Sequence, residues 1–318
     1  MRSVTKRSRR RRGNGGHSIV FTPELYKRVG TDGAPQNFEA KKIMNLELKK
    51  ELNRIFDSVA NRDYYSVVKE FFELCAISIR NSVDHGKDHD KLEKRYMDIA
   101  STYTKAQLEN FSRGLAILGG EITKATTGDS DFCDWAGEIY MASGTSNSKA
   151  GQFFTPYCVS RVAAEVNLDK ELIRSKLQDD PNYVFTIHEP TCGAGGMVVA
   201  VVDVLHSMNV NYAWNCFVDC GDIDPRCVHM TYLTLSLLGV PAVVRLGNAL
   251  SLEYSQAWYT PAYLFAWPHF EVKMRNNKDK TDAQKISKNP EPIEVVEEPK
   301  KEPEPAPIMS KNGQYSLF

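Results

Sequence analysis

The 318-residue sequence predicts an α/β protein in which a helical N-terminal domain precedes a short series of βαβ units. Three observations carry this expectation. Apolar residues step by three and four between residue 38 and about residue 119. Short β-branched or apolar runs alternate with helix-length segments after residue 183, and the composition changes abruptly at both ends. With 40 basic and 40 acidic side chains and 42% hydrophobic residues, the chain is neither a uniformly charged nucleic-acid coat nor a wholly disordered protein.

Residues 1–37 read as a basic arm and loop. Seven of the first twelve residues are Lys or Arg with no acid among them, and Gly13, Gly15, Gly16, Gly30 and Gly33 interrupt any periodic pattern. Arg9, Arg10, Arg11 and Arg12 are the DNA-binding candidates, since such a run tracks phosphates, although a solvated tail has the same composition. Residues 38–145 form the helical domain. Met44, Leu48, Leu52, Ile55, Phe56 and Val59 lie on one helical face between Phe38 and Ala60. Tyr64–Val83 and Asp90–Gly119 repeat the spacing.

Residues 146–270 form the second domain. Strands are expected at Val184–His188, Cys216–Val218 and Ala242–Leu246, with helices Gly196–Ser207 and Pro225–Leu238 between them, an alternation that implies a parallel sheet. Tyr263–Ala266 reads as a further strand. Residues 271–312 are a disordered linker, in which 273–288 hold six Lys or Arg and 289–307 hold six Pro and six Glu. The N-terminus lacks the apolar core of a signal peptide, and the most apolar run, Met197–Leu205, is short and contains Asp203. A cytoplasmic location without membrane association is therefore expected. Seven cysteines, an odd number, point to reduced thiols.

The strongest site signal is Glu189-Pro190-Thr191-Cys192-Gly193-Ala194-Gly195-Gly196, placed between an expected strand and an expected helix. Glycines there permit a tight turn and close backbone approach to a nucleotide-like ligand, and the helix start offers free N–H groups. A plain βα turn uses the same residues. The next strand is followed by Gly221-Asp222-Ile223-Asp224-Pro225, which sets a carboxylate where a ribose diol needs an acceptor. Both segments should face one crevice at the carboxyl ends of the strands. His85 and His89 have metal-compatible spacing but read as a solvated helix end, so no metal site is expected. Cys216, Cys220 and Cys227 read as core thiols.

Taken with Gly151-Gln152-Phe153-Phe154-Thr155-Pro156, these segments, in this order, resemble the N6-adenine DNA methyltransferases related to the modification subunit of type I restriction systems, including small N-6 DNA methylases. Asp134-Trp135-Ala136-Gly137-Glu138-Ile139-Tyr140 extends the likeness, which covers roughly residues 90–265. The resemblance implies a shortened Rossmann-like, S-adenosylmethionine-dependent methyltransferase domain that acts on DNA. It implies that Phe154, Thr155 and Pro156 meet the methionine portion of S-adenosylmethionine. Glu189, Cys192, Gly193 and Gly195 would form the loop, with Asp222 on the ribose and Asn248 at the adenine. A partner methyltransferase or specificity subunit is implied as well.

The family's catalytic tetrapeptide, Asn or Asp, two prolines, then Tyr or Phe, is absent. Thr260-Pro261-Ala262-Tyr263 is the nearest segment, with Thr260, Pro261 and Tyr263 as catalytic candidates. That chemistry needs acceptors for the target amine and a ring that stacks on the flipped base. Gln314, Leu317 and Phe318, within residues 313–318, resemble the peptide by which bacterial proteins dock on the replication sliding clamp. The expectation is a DNA adenine N6-methyltransferase. The alternatives are a catalytically inactive methyltransferase-fold module that docks on the clamp or on a partner subunit, and methylation of RNA or protein.

Overall fold

Capping explains where most of the N-terminal helices begin. In the computed structural model, helix α1 (Leu46–Asp57) starts where the Asn45 side chain accepts the Glu47 N–H at 2.9 Å, and α2 (Tyr64–Val83) where Asp63 accepts that of Ser66 at 3.0 Å. The described residues are 18–20 (backbone only), 44–59, 62–143, 154–266 and 268–270. All of them belong to the first of the chain's two contact units, residues 1–278, and the second, 279–318, lies outside the described residues.

The single helix expected over Asp90–Gly119 is two, α3 (His89–Ala100) and α4 (Lys105–Thr127). Thr102 donates its hydroxyl to the Ile99 carbonyl at 2.7 Å, and Thr104 with Gln107 forms a reciprocal capping box that starts α4. Helix α4 stops at Gly128, whose φ of +84° suits glycine. Next come α5 (Trp135–Ala142), α6 (Tyr157–Asn167) and α7 (Lys170–Asp179).

One sheet follows the order β1-β2-β3-β4-β5. Strands β1 (Ser18–Val20), β2 (Phe185–Glu189), β3 (Cys216–Asp222) and β4 (Ala242–Asn248) run parallel, and β5 (Glu253–Tyr259) is antiparallel to β4. The fold is thus mixed α/β with a small mixed sheet. Strand β1 lies inside the segment expected to be only an arm or loop. It pairs Ser18 with Thr186 and Val20 with His188, and its Ile19-Val20 pair is a β-branched run too short to read as a strand among the surrounding glycines. Strand β5 was likewise unforeseen. It returns through a turn in which Leu252 takes φ +58°, and a bulge at Leu246/Gly247 brings the chains so close that a Cβ on Gly247 would lie 2.1 Å from the Glu253 carbonyl oxygen.

Between β2 and β3 run α8 (Gly196–Ser207) and the single turn α9 (Tyr212–Asn215), and α10 (Pro225–Leu237) links β3 to β4. Helix α8 is buried from Gly196 to Leu205, so each Val or Leu there contributes about 1.5–3 kcal/mol of apolar burial. Asp203 is tolerated inside it because Tyr157 and Arg161 of α6 donate to its carboxylate at 3.0 and 2.8 Å. One hydrophobic core joins α1–α6 to α8 and α10 and to the sheet.

The strand expected at Tyr263–Ala266 is instead helical over residues 261–266. Thr260 carries the Leu264 N–H on its carbonyl at 3.1 Å, and Pro261 takes the first helical position, where its missing N–H costs nothing. All seven cysteines are free, six of them buried. No described helix is long and apolar enough to cross a membrane.

Candidate functional site

The loop after β2 is built by backbone bonds to its neighbours. Cys192 donates its N–H to the Gly221 carbonyl at 2.9 Å, which ties the loop to the end of β3. Gly193 then adopts φ +55°, donates its N–H to Asp222 Oδ2 at 3.0 Å and accepts the Thr231 hydroxyl at 2.9 Å. A Cβ at Gly193 would sit 3.2 Å from the Phe154 ring, and one at Gly195 (φ +93°) 3.1 Å from the Thr231 hydroxyl. Both positions therefore favour glycine, chiefly for backbone geometry and also because the neighbouring side chain would have to shift. Beyond them α8 begins, with first-turn N–H groups that have no partner inside the helix.

Asp222 closes the loop from the other side. Its Oδ2 holds Gly193 and its Oδ1 accepts the Asp224 N–H at 2.9 Å, while Asp224 caps α10 by accepting the Arg226 N–H. Burial raises the Asp222 carboxyl from its ordinary value, against the backbone N–H bonds that lower it. Glu189, at the end of β2, is 1% exposed, and its Oε1 receives the Thr191 N–H at 3.3 Å. Its Oε2 has no partner. Burial, with a smaller contribution from the Asp222 charge, pushes Glu189 up to about 8, so it is largely protonated at neutral pH.

A cavity of about 120 Å³ opens at this loop, lined by Asp134, Phe154, Thr155, Ser160, Cys192 and Gly193 among others. The structure thus brings Phe154, Thr155, Cys192 and Gly193 together, with Gly195 and Asp222 bonded to the same loop and Glu189 beneath it. Pro156 is exposed at the start of α6. Asn248 is not in the cavity wall: it is exposed as the last residue of β4, and its own Oδ1 accepts the Leu250 N–H at 2.9 Å. Asp134, Ser160 and Met197 also line the cavity and had not been singled out as ligand residues. Asp134 carries a visible signal, a carboxylate before a short helix, but that pattern reads as a cap, which it also is.

Thr260, Pro261 and Tyr263 stand elsewhere. Thr260 is fully buried, and its hydroxyl donates to the Val240 carbonyl at 2.7 Å and accepts the Ala242 N–H at 2.9 Å. Because β5 is antiparallel, Thr260 lies at the amino end of β4, about 20 Å of strand away from the carboxyl end that faces the loop. Tyr263 packs with Phe217 and stacks on Tyr259, at ring-centroid distances of 5.6 and 5.2 Å. Arg9–Arg12, Gln314, Leu317 and Phe318 lie outside the described residues. Among the described residues no cluster suits a metal ion.

A second cavity, of about 650 Å³, adjoins Ile223–Arg226 on the side of the helical block, where Tyr65, Lys69, Arg95 and His229 complete its wall. Burial lowers His229 to about 4, so its ring is neutral. Arg95 is bound to Glu73 through two bonds of 2.6 and 2.9 Å.

A glycine-rich βα loop with a carboxylate at the next strand end, both at the carboxyl edge of parallel strands, places this chain among α/β proteins, in which that edge is where ligands are held. The family model described as N-6 DNA Methylase matches residues 134–302, more than half of the sequence, and the chain belongs to that family. The match begins at Asp134, later than the likeness read from the sequence, and runs into the segment expected as linker. Among solved structures, the methyltransferase subunit of a type I restriction-modification system from Streptococcus thermophilus is similar at 12% identity and a TM-score of 0.31. That likeness covers 66% of this chain, and the chain spans 60% of that subunit. No curated protein matches.

Proposed function

We propose that a helical domain and a shortened Rossmann-like domain together bind S-adenosylmethionine, and that the protein acts on DNA as an adenine N6-methyltransferase. The observation that carries the cofactor assignment is the cradle itself. A Cβ on Gly193 would crowd Phe154 at 3.2 Å, Glu189 keeps an unpartnered Oε2 beneath the loop, and Asp222 is locked at the next strand end. When bound, S-adenosylmethionine supplies a methyl group activated on a sulfonium.

The chain's own residues then have separable roles. Phe154 and the Gly193 backbone set the floor and wall of the small cavity. Each Asp222 oxygen, already holding one N–H, retains a lone pair for a ribose hydroxyl. Ile223, 68% exposed beside Asp222, offers an apolar face to a purine ring. Arg9–Arg12 would track DNA phosphates, and Gln314, Leu317 and Phe318 would dock on the sliding clamp, with the protein in the cytoplasm and beside a partner subunit.

One observation favours the second reading, a catalytically inactive DNA-binding module. The Thr260 hydroxyl is committed to β4 at the far end of the sheet, so Thr260–Tyr263 are poorly placed to orient a target base. Calorimetric titration with S-adenosylmethionine beside a tritiated-methyl transfer assay on unmethylated duplex DNA separates the readings. Binding with transfer to adenine N6 supports the enzyme, and binding without transfer supports the module. Absence of binding rejects the cofactor assignment.

A further inference from the structure

Asp134 is 6% exposed and comes from outside the sheet, yet it lines the small cavity at the glycine loop. Its Oδ1 accepts the Gly137 N–H at 2.9 Å, the cap of α5. Among the described residues its Oδ2 accepts no hydrogen bond, and no Lys or Arg pairs with it. The surrounding chain is shaped to admit this carboxylate: a Cβ on Gly137 would fall 2.1 Å from Oδ2, and one on Gly196 2.8 Å from it. Among the described residues of the cavity wall, Asp134 is also the only ionisable carboxyl or amine side chain, and the rest of the wall offers hydroxyls, a thiol, backbone and apolar atoms.

A buried carboxylate without a cation is costly for the folded protein. Burial accordingly pushes Asp134 up to about 6, with Glu138 adding to the rise. Such a group is stabilised by a ligand that brings positive charge and N–H donors. Beside it, the first turn of α8 presents unpaired N–H groups that suit negative charge. A carboxylate next to a helix N-terminus, in a space of about 120 Å³, matches a small zwitterion rather than a purine or a sugar.

We propose that Asp134 binds the α-ammonium group of the cofactor's amino-acid end and thereby selects ligands that carry it. This deepens the cofactor reading above and rests on it. The ammonium donates to Oδ2 while Oδ1 keeps its cap to Gly137, so the helix start and the ligand share one side chain.

The test uses the full chain, titrated calorimetrically at pH 7.5 with S-adenosylhomocysteine and with 5′-methylthioadenosine, which lacks the amino-acid end. Asp134→Asn keeps an oxygen for the Gly137 cap and removes the charge, and Asp134→Ser keeps a capping hydroxyl. Both variants should bind S-adenosylhomocysteine roughly 10- to 100-fold more weakly, the effect of losing one charge-assisted bond. Their affinity for 5′-methylthioadenosine should stay within twofold of wild type, and Asp134→Asn should melt no lower than wild type. Wild-type affinity for S-adenosylhomocysteine in both variants overturns the ammonium assignment and leaves the cofactor reading standing. Equal weakening of both ligands with a lowered melting temperature overturns it too, by showing a structural role. A wild-type chain that binds neither ligand removes the cofactor reading and this inference together.

Discussion

Glu189 should make the stability of the unliganded protein depend on pH in a window where exposed carboxylates contribute nothing. Its carboxyl rises from 4.5 to about 8 in the folded state because burial disfavours its charged form. A folded value above the unfolded one means that the native state holds a proton the unfolded chain releases. The associated stability is complete below about pH 4.5 and is lost as pH rises through about 8. A tenfold change in proton affinity is worth about 1.4 kcal/mol, so the whole rise amounts to something on the order of 3–5 kcal/mol. Glu189→Gln imitates the protonated form and removes this dependence. The assay is urea unfolding of both proteins between pH 5 and 8.5. The variant should equal wild type at pH 5 and exceed it by a few kcal/mol at pH 8.5. Asp134 and Asp222 titrate with the same sign but are present in both proteins, so the difference curve belongs to Glu189. Parallel curves across the whole range refute the burial argument.

Gly193→Ala adds a Cβ 3.2 Å from Phe154 at φ +55°, and should weaken cofactor binding at least tenfold while costing about 1 kcal/mol of stability, measured by titration and by thermal melts. Thr260→Val removes bonds to two backbone groups of the β4 start and should destabilise by about 1–3 kcal/mol while leaving cofactor affinity within twofold; unchanged stability with lost methyl transfer would instead give Thr260 a place in catalysis. Deleting Leu317 and Phe318 should abolish co-elution with a bacterial sliding clamp and leave cofactor titrations unchanged, and a full chain that never co-elutes rejects the docking peptide.

Legibility in the sequence followed the range of the forces involved. The ends of α2 and α8 were readable because Asp63 and the Gly195-Gly196 step are local signals. The break between α3 and α4 was missed even though Thr104 and Gln107 carry a capping box, because the apolar spacing continues across it. Strand β1 has three residues, and its β-branched Ile19-Val20 pair is too short a run to mark a strand without the pairing with β2. Within the site, the glycine loop and Asp222 were legible since turn chemistry and strand ends leave marks in sequence. Asp134 was not legible as a residue of the cavity wall. Its role depends on α5 packing against the start of α8, an approach of elements about sixty residues apart in the chain that only the fold reveals.

The direction of β5 bears on catalysis more than any single residue does. In an open sheet, ligands are served by the carboxyl ends of parallel strands. Strands β2 and β3 deliver Glu189 and Asp222 to that edge, and β4 ends there on the exposed Asn248. A fifth parallel strand would place the residues that follow it beside the cofactor loop. The turn after Asn248 is too short for a crossover, however, so β5 returns antiparallel and carries Thr260 and Tyr263 to the opposite edge. The register is fixed by the bulge at Gly247, where no other side chain fits, and by Trp258, fully buried against Tyr232 of α10. A local rearrangement therefore cannot bring Thr260 to the site without unpairing β5. Among the described residues, the remaining strand whose carboxyl end meets the same edge is β1, in which Val20 pairs with His188, one residue from Glu189. If methyl transfer is observed, a group other than Thr260 orients the base, and Thr260→Val will leave the rate per folded molecule unchanged.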